Sequence, residues 1–140
     1  TASWKPYDEA KEFRRNADAM RTALGDPAAM ARARIPVERI AGPVLLISGG
    51  DDGAWPSDLY SLIVQSSLLA AGHPHEVVWK NWPAAGHSIL FPHVPSTRIA
   101  HRHPVSGIAT TMGGTPAANA EANDGAWAAA LAFVGRHGGR

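Results

Sequence analysis

The residues best equipped for chemistry in this 140-residue chain are two adjacent aspartates and one histidine. Asp51 and Asp52 follow the apolar run Val44-Leu45-Leu46-Ile47 across Ser48-Gly49-Gly50. His87 follows a second apolar run, Val77-Val78-Trp79, and stands in Ala85-Gly86-His87. An imidazole held by a carboxylate can take a proton from a nucleophile and later return it to a leaving group. The carboxylate fixes the ring tautomer and stabilises the imidazolium. An acid after one strand and a histidine after the next would supply two members of a nucleophile–His–acid triad. The third is not apparent. The chain has no cysteine, and no serine stands in the Gly-x-Ser-x-Gly pattern of a nucleophile elbow. Ser48 lies on the acid strand itself, and Ser88 can at most assist its neighbour His87. Thr1 could attack with its own amine as base, an idea that no other residue supports.

Elements must bring the acid and the histidine together. Val44–Ile47 is apolar on both faces, as in a parallel strand covered on each side. The stretch 44–87 reads as strand, acidic turn, helix, strand and histidine loop. Consecutive parallel strands put their C-terminal ends on one edge of a sheet, where open α/β folds bind ligands. The 35-residue separation of Asp52 and His87 leaves room for one crossover helix and one strand. Ser57 is expected to cap that helix, which runs to about Ala71 before Gly72 stops it. Leu59, Leu62, Ile63, Ser66 and Leu69 form its expected core stripe. The second strand is expected over Glu76–Lys80.

The flanks are read the same way. Asp8 is expected to cap a helix over 9–24 with Ala10, Phe13, Ala17, Met20 and Leu24 on one face. Asp26-Pro27 starts a short helix to about Arg34. Residues 88–115 are rich in proline and glycine and read as a loop of functional length. Thr115-Pro116 opens a last helix with Ala120, Trp127, Leu131 and Val134 as its packing face, closed by Gly135 or Gly138. Trp55, after the acidic turn, and His93, beyond the histidine loop, are candidates for substrate binding.

Composition narrows the class. Apolar residues make up 45% of the chain, charged residues 18%, and net charge is +1. These values suit one globular domain and give no field for nucleic acid or membrane. The arginines are interspersed with acids and read as a solvated face. His73-Pro74-His75 and His101-Arg102-His103 have alternate spacing but no acid beside them, so no metal is expected, and no cofactor. No signal-peptide pattern opens the chain and no apolar run would span a bilayer, so a cytoplasmic location is expected. A start at Thr1 suggests a processed chain or a piece of a longer protein.

A set of motifs extends this reading. They are Ile35-Pro36-Val37-Glu38-Arg39-Ile40, Gly42-Pro43-Val44-Leu45-Leu46-Ile47-Ser48-Gly49, Asp51-Asp52 and Trp55-Pro56-Ser57. Ala85-Gly86-His87, Pro92-His93-Val94-Pro95 and Gly113-Gly114-Thr115-Pro116-Ala117-x-Asn119-Ala120 follow, with Asp124 and Trp127 beyond. Over residues 26–137 the chain resembles the C-terminal domain of acyl-CoA thioesterases and bile acid-CoA:amino acid N-acyltransferases; dienelactone-hydrolase-like enzymes are looser relatives. The resemblance implies the C-terminal half of an α/β-hydrolase fold, with parallel strands and crossover helices. Residues 1–140 would be a single C-terminal portion of the catalytic domain. In Gly49-x-x-Asp52 the glycine stands three residues before the acid, a hydrolase habit that selects Asp52 over Asp51. The triad acid and histidine would then be Asp52 and His87.

The resemblance also implies a serine or cysteine nucleophile and oxyanion-hole donors upstream of this chain. The expected partner is therefore a nucleophile-bearing N-terminal segment or chain of the same enzyme, which would complete the sheet. The substrate would be an acyl thioester or ester and the acceptor water or an amine. The rival expectation is a hydrolase-derived structural or binding subunit without catalysis.

Overall fold

The computed structural model describes residues 13–97 and 99–138. The architecture is mixed α/β with a small parallel sheet. Strand β1, Val44–Gly49, runs parallel to β2, Val77–Trp82, in a register that pairs Val44 with Val77 and Gly49 with Trp82. Helix α3, Ser57–Ala70, is the crossover between them and packs on both strands. Among the described residues, β1 has no partner on its other edge. Helix α4, Pro116–His137, also packs on both strands. No helix among the described residues is long and apolar enough to cross a membrane.

The N-terminal reading needs correction. Helix α1 spans Asn16–Leu24, and Asp8 lies outside the described residues. Phe13 is not on the helix, and it is exposed. The backbone of Arg14 instead pairs with the hairpin described below: its N–H donates to Ala109 O and its carbonyl accepts from Thr111 N–H. Helix α2, Pro27–Ala33, starts as its sequence predicts. Asp26 Oδ1 accepts from the N–H groups of Ala28 and Ala29, and proline occupies the first turn.

Two helix faces also differ from expectation. On α3 the buried side chains are Ser61 and Leu68, whereas Leu62, Ile63 and Leu69 are exposed. Ser57 does not cap α3. Its hydroxyl donates to Gly49 O (3.0 Å) and accepts from Gly49 N–H (3.2 Å), tying the helix start to the end of β1. On α4 the buried face is Asn119, Ala122, Asn123 and Ala126, while Trp127, Leu131 and Val134 are exposed. Apolar periodicity selected the stripe with the largest residues, but small and polar residues face this sheet. Thr115 caps α4 by accepting from Ala118 N–H, and Gly138 rather than Gly135 ends it.

Residues 88–115 are not all loop. They contain β3, Ala100–Arg102, paired antiparallel with β4, Ala109–Thr111. Strands of three residues leave too few alternations for periodicity to register.

The five largest fully buried side chains are Leu68, Asn119, Asp52, Pro56 and Ser48. Three of these are polar, so the best-buried region supports a polar site rather than a conventional hydrophobic core. Ser48 is fully engaged: its hydroxyl donates to Asn81 Oδ1 (2.9 Å) and accepts from Trp79 Nε1 (2.8 Å).

Candidate active site

The parallel pairing of β1 and β2 brings the acidic turn and the histidine loop to one edge of the sheet. Asp51 N–H donates to Ala85 O (3.0 Å), so the turn and loop bond directly. His87 Nδ1 lies 3.1 Å from Asp52 Oδ2. The other oxygen, Oδ1, accepts from Ala54 N–H (2.8 Å) and Trp55 N–H (3.1 Å). Asp52 is 1% exposed. Burial pushes its carboxyl upward, but hydrogen bonds, chiefly from His87 and from the backbone N–H groups of Trp55 and Ala54, outweigh that and hold it below the ordinary carboxylate value. An ionised carboxylate only accepts, so His87 Nδ1 carries the hydrogen, and in the neutral ring Nε2 presents the lone pair. Among the described residues Nε2 has no partner.

The ring borders a cavity of about 370 Å³ whose walls include Trp55, Ile89, Leu90 and Trp127. Trp55 packs edge-on against His87, with ring centroids 4.5 Å apart and planes at 84°. His93 is elsewhere: it is exposed in a turn with φ 66° and does not line this cavity. His73 is turned to the backbone, its Nε2 lying 3.0 Å from Gly42 O. Thr1 lies outside the described residues. Among those residues, no group of three or more potential metal ligands gathers.

Asp51 is more than a solvated turn residue. Oδ1 pairs with Arg15 (2.8 Å) and Oδ2 accepts from Gly114 N–H (2.8 Å). The Arg15 guanidinium also donates to the carbonyls of Asp51 (3.1 Å) and Asp52 (3.3 Å), bracing the acid turn from behind.

The segment Met112-Gly113-Gly114 joins the acidic turn and the histidine loop. Met112 O accepts from both Gly53 N–H (2.9 Å) and His87 N–H (2.8 Å), so one carbonyl ties the acid turn to the histidine loop. Gly113 and Gly114 have φ of 77° and 73°, where a Cβ is strained. Gly86 is required for closeness rather than for a left-handed turn: a Cβ there would collide with the Gly113 backbone.

The family model "BAAT / Acyl-CoA thioester hydrolase C terminal" matches residues 7–140. The chain belongs to this family. It is 36% identical over 103 residues to the peroxisomal succinyl-coenzyme A thioesterase of Mus musculus, covering 74% of this chain and 24% of that protein. Acyl-coenzyme A thioesterase 6 of Homo sapiens is 35% identical over 103 residues, with 74% and 24% covered. The mitochondrial acyl-coenzyme A thioesterase 2 of Mus musculus is 36% identical over 105 residues, with 75% and 23% covered. The chain thus spans about a quarter of the length of these curated relatives.

Within this family member, the motif residues Gly113, Gly114 and Asn119 all touch the acid turn or the histidine loop. Two contributors escaped the sequence reading. Met112 acts through its backbone, which no side-chain pattern reveals. Asn123 was not among the residues expected on the packing face of the helix; its spacing of four from Asn119 was the available signal.

Proposed function

We propose that this chain is the C-terminal part of an acyl-transfer enzyme, completing an α/β-hydrolase fold with further chain. Asp52 orients His87, and His87 serves a nucleophile supplied from outside these residues. The substrate is an acyl thioester or ester, and the acceptor is water, with an amine as the alternative. The observation that carries the reading is the 3.1 Å Asp52–His87 contact, with the acid buried and the ring at a cavity.

In this mechanism His87 Nε2 takes the proton of the serine or cysteine as it attacks the carbonyl carbon. The tetrahedral intermediate collapses, and the same proton passes to the departing thiolate or alkoxide. Water then enters, gives its proton to Nε2 and attacks the acyl-enzyme, and that proton returns to the nucleophile. Trp55 supplies apolar wall beside the ring for the acyl group. His93 stays outside this proposal because it does not reach the cavity.

Two features support cover by an upstream segment or partner chain. The strand β1 is only half-buried over Val44–Ile47 and has one free edge among the described residues. Large apolar side chains such as Ile35, Leu69, Leu131 and Val134 are exposed. Our reading of location stays the cytoplasm. The relatives' names include a peroxisomal and a mitochondrial protein, and cell fractionation decides.

The test uses the protein from the complete reading frame. His87→Ala and His87→Gln are expected to lower kcat by about 10³-fold or more on acyl-coenzyme A and p-nitrophenyl esters, with KM largely kept. A folded His87→Ala enzyme with normal kcat overturns the assignment. If the wild-type protein turns over neither substrate class, a non-catalytic hydrolase-derived subunit becomes the better reading.

A further inference from the structure

We propose that Asn119 and Asn123 are positioning residues that set His87 on Asp52. The inference rests on the triad reading above and names what aims the histidine. Both asparagines are buried, at 0% and 2% exposure, on the face of α4 that meets the histidine loop. Asn119 Oδ1 accepts from Gly86 N–H at 2.8 Å, immediately before His87. Asn123 Oδ1 accepts from Leu90 N–H at 2.7 Å, three residues after it. Residues four apart on a helix lie on one face, about 6 Å along the axis. One turn of α4 therefore offers two acceptors that grip the two ends of the segment 86–90. Met112 O takes the N–H of His87 itself at 2.8 Å. The imidazole leaves a backbone gripped before, at and after its own residue.

Helix propensity does not explain Asn119. Asparagine is a poor helix former beside alanine or leucine. Among the described residues its Nδ2 is buried without a hydrogen-bond partner, a cost set against the bond that its Oδ1 gives the buried Gly86 N–H. The amide orientation is not open, because Gly86 N–H is a donor and only Oδ1 can accept it. What Asn119 contributes is one acceptor, at the residue next to the proton carrier. Thr115 and the rest of α4 hold the helix in place without it.

The test uses the enzyme from the complete reading frame, with p-nitrophenyl butyrate as probe and imidazole ¹⁵N shifts as a readout that needs no substrate. Asn119→Leu removes both the acceptor and the unpartnered donor while keeping the branched four-heavy-atom skeleton of the side chain. It is expected to fold with a lower Tm, because Gly86 N–H loses its buried acceptor, to lose about 10- to 100-fold in kcat with KM nearly constant, and to show His87 shifting from its single Nδ1–H form to a tautomer mixture. Asn119→Asp keeps an acceptor oxygen for Gly86 and replaces only the unpartnered nitrogen, so most of the lost kcat returns. A purely packing role predicts the reverse, with the leucine variant normal and the aspartate variant impaired.

A folded Asn119→Leu enzyme with wild-type kcat and an unchanged His87 tautomer overturns the proposal. If Asn119→Leu does not fold, Asn123→Leu carries the same measurement: reduced kcat at constant KM supports the clamp, and wild-type kcat overturns it. His87→Ala separates the two claims. Normal turnover there removes the triad reading, whereas an inactive His87→Ala beside a normal Asn119→Leu removes the clamp alone.

Discussion

Two carboxylate–histidine pairs occur among the described residues, at opposite ends of the parallel sheet. Asp52 and His87 meet beyond the C-terminal ends of β1 and β2, 3.1 Å apart. Glu76 and His137 meet where β2 begins and α4 ends, with Nε2 and Oε2 2.6 Å apart. Distance alone would favour the second pair. Everything around the contact favours the first. The Asp52 side chain is 1% exposed and that of Glu76 is 42% exposed. The second oxygen of Asp52 is held by two backbone N–H groups, whereas Glu76 is shared with the exposed side chain of Arg136. His87 keeps Nε2 open toward a cavity, whereas His137 spends Nε2 on the glutamate. An exposed ion pair is screened and contributes little. The fixed frame around an acid–histidine pair, rather than its length, suits it to proton transfer.

Asp52→Asn should have the largest effect. An amide at this position can donate to the ring and so admits the wrong tautomer. The loss in kcat should approach the roughly 10⁴-fold seen when a serine-protease triad acid becomes asparagine. The acid limb of stability should change as well. The folded carboxyl lies below its ordinary value. Its contribution is therefore present above the unfolded value of about 3.9 and is lost as pH falls through the folded value. Thermal melts taken across that acidic window should show a flatter limb for Asp52→Asn than for wild type. Equal limbs would mean that the native carboxylate is not the ionised, supported group described here.

Asp51→Asn should act on the fold more than on the chemistry. The amide oxygen can still accept from Gly114 N–H, but the charge that meets Arg15 is gone. Both side chains are partly exposed, at 34% for Arg15 and 48% for Asp51. The expected cost is about 1 kcal/mol of stability, with kcat reduced only a few-fold. Denaturant midpoints and steady-state kinetics read the two separately. A loss in kcat as large as that of Asp52→Asn would show that the wrong acid had been chosen.

The sequence was most legible along the path from β1 to the histidine loop. Val44–Ile47 and Val77–Trp79 gave long enough apolar runs to mark both strands, and the acid and histidine followed from their ends. Asp26-Pro27 and Thr115-Pro116 marked helix starts because capping is a local interaction. Helix faces were misread because apolar size was taken as a guide to burial. On α4 the sheet and histidine loop receive Asn119, Ala122, Asn123 and Ala126, and the larger Leu131 and Val134 face outward. Phe13 failed differently: the backbone of Arg14 is taken by β4 through long-range hydrogen bonds, which no local pattern registers. The link through Met112 O is invisible for the same reason.

Glu76→Gln should have the smallest effect, and it tests the comparison from the other side. The hydrogen bond from His137 is the main influence that lowers the Glu76 carboxyl; desolvation opposes it, and the hydrogen bond and charge of Arg136 add to the lowering. The sign is the same as for Asp52: the contribution is present above the unfolded value of about 4.3 and is lost as pH falls through the folded one. The surroundings differ, because this pair is open to counter-ions. At roughly 1 M salt the screening length shrinks to about 3 Å, so the exposed pair should lose its effect while the buried one keeps it. Glu76→Gln should therefore leave kcat unchanged and shift Tm barely at low salt and not at all at high salt. Asp52→Asn should keep its full loss of kcat in both conditions. If Glu76→Gln lowers kcat, or if high salt erases the difference between wild type and Asp52→Asn, burial and backbone support are not what distinguishes the two pairs.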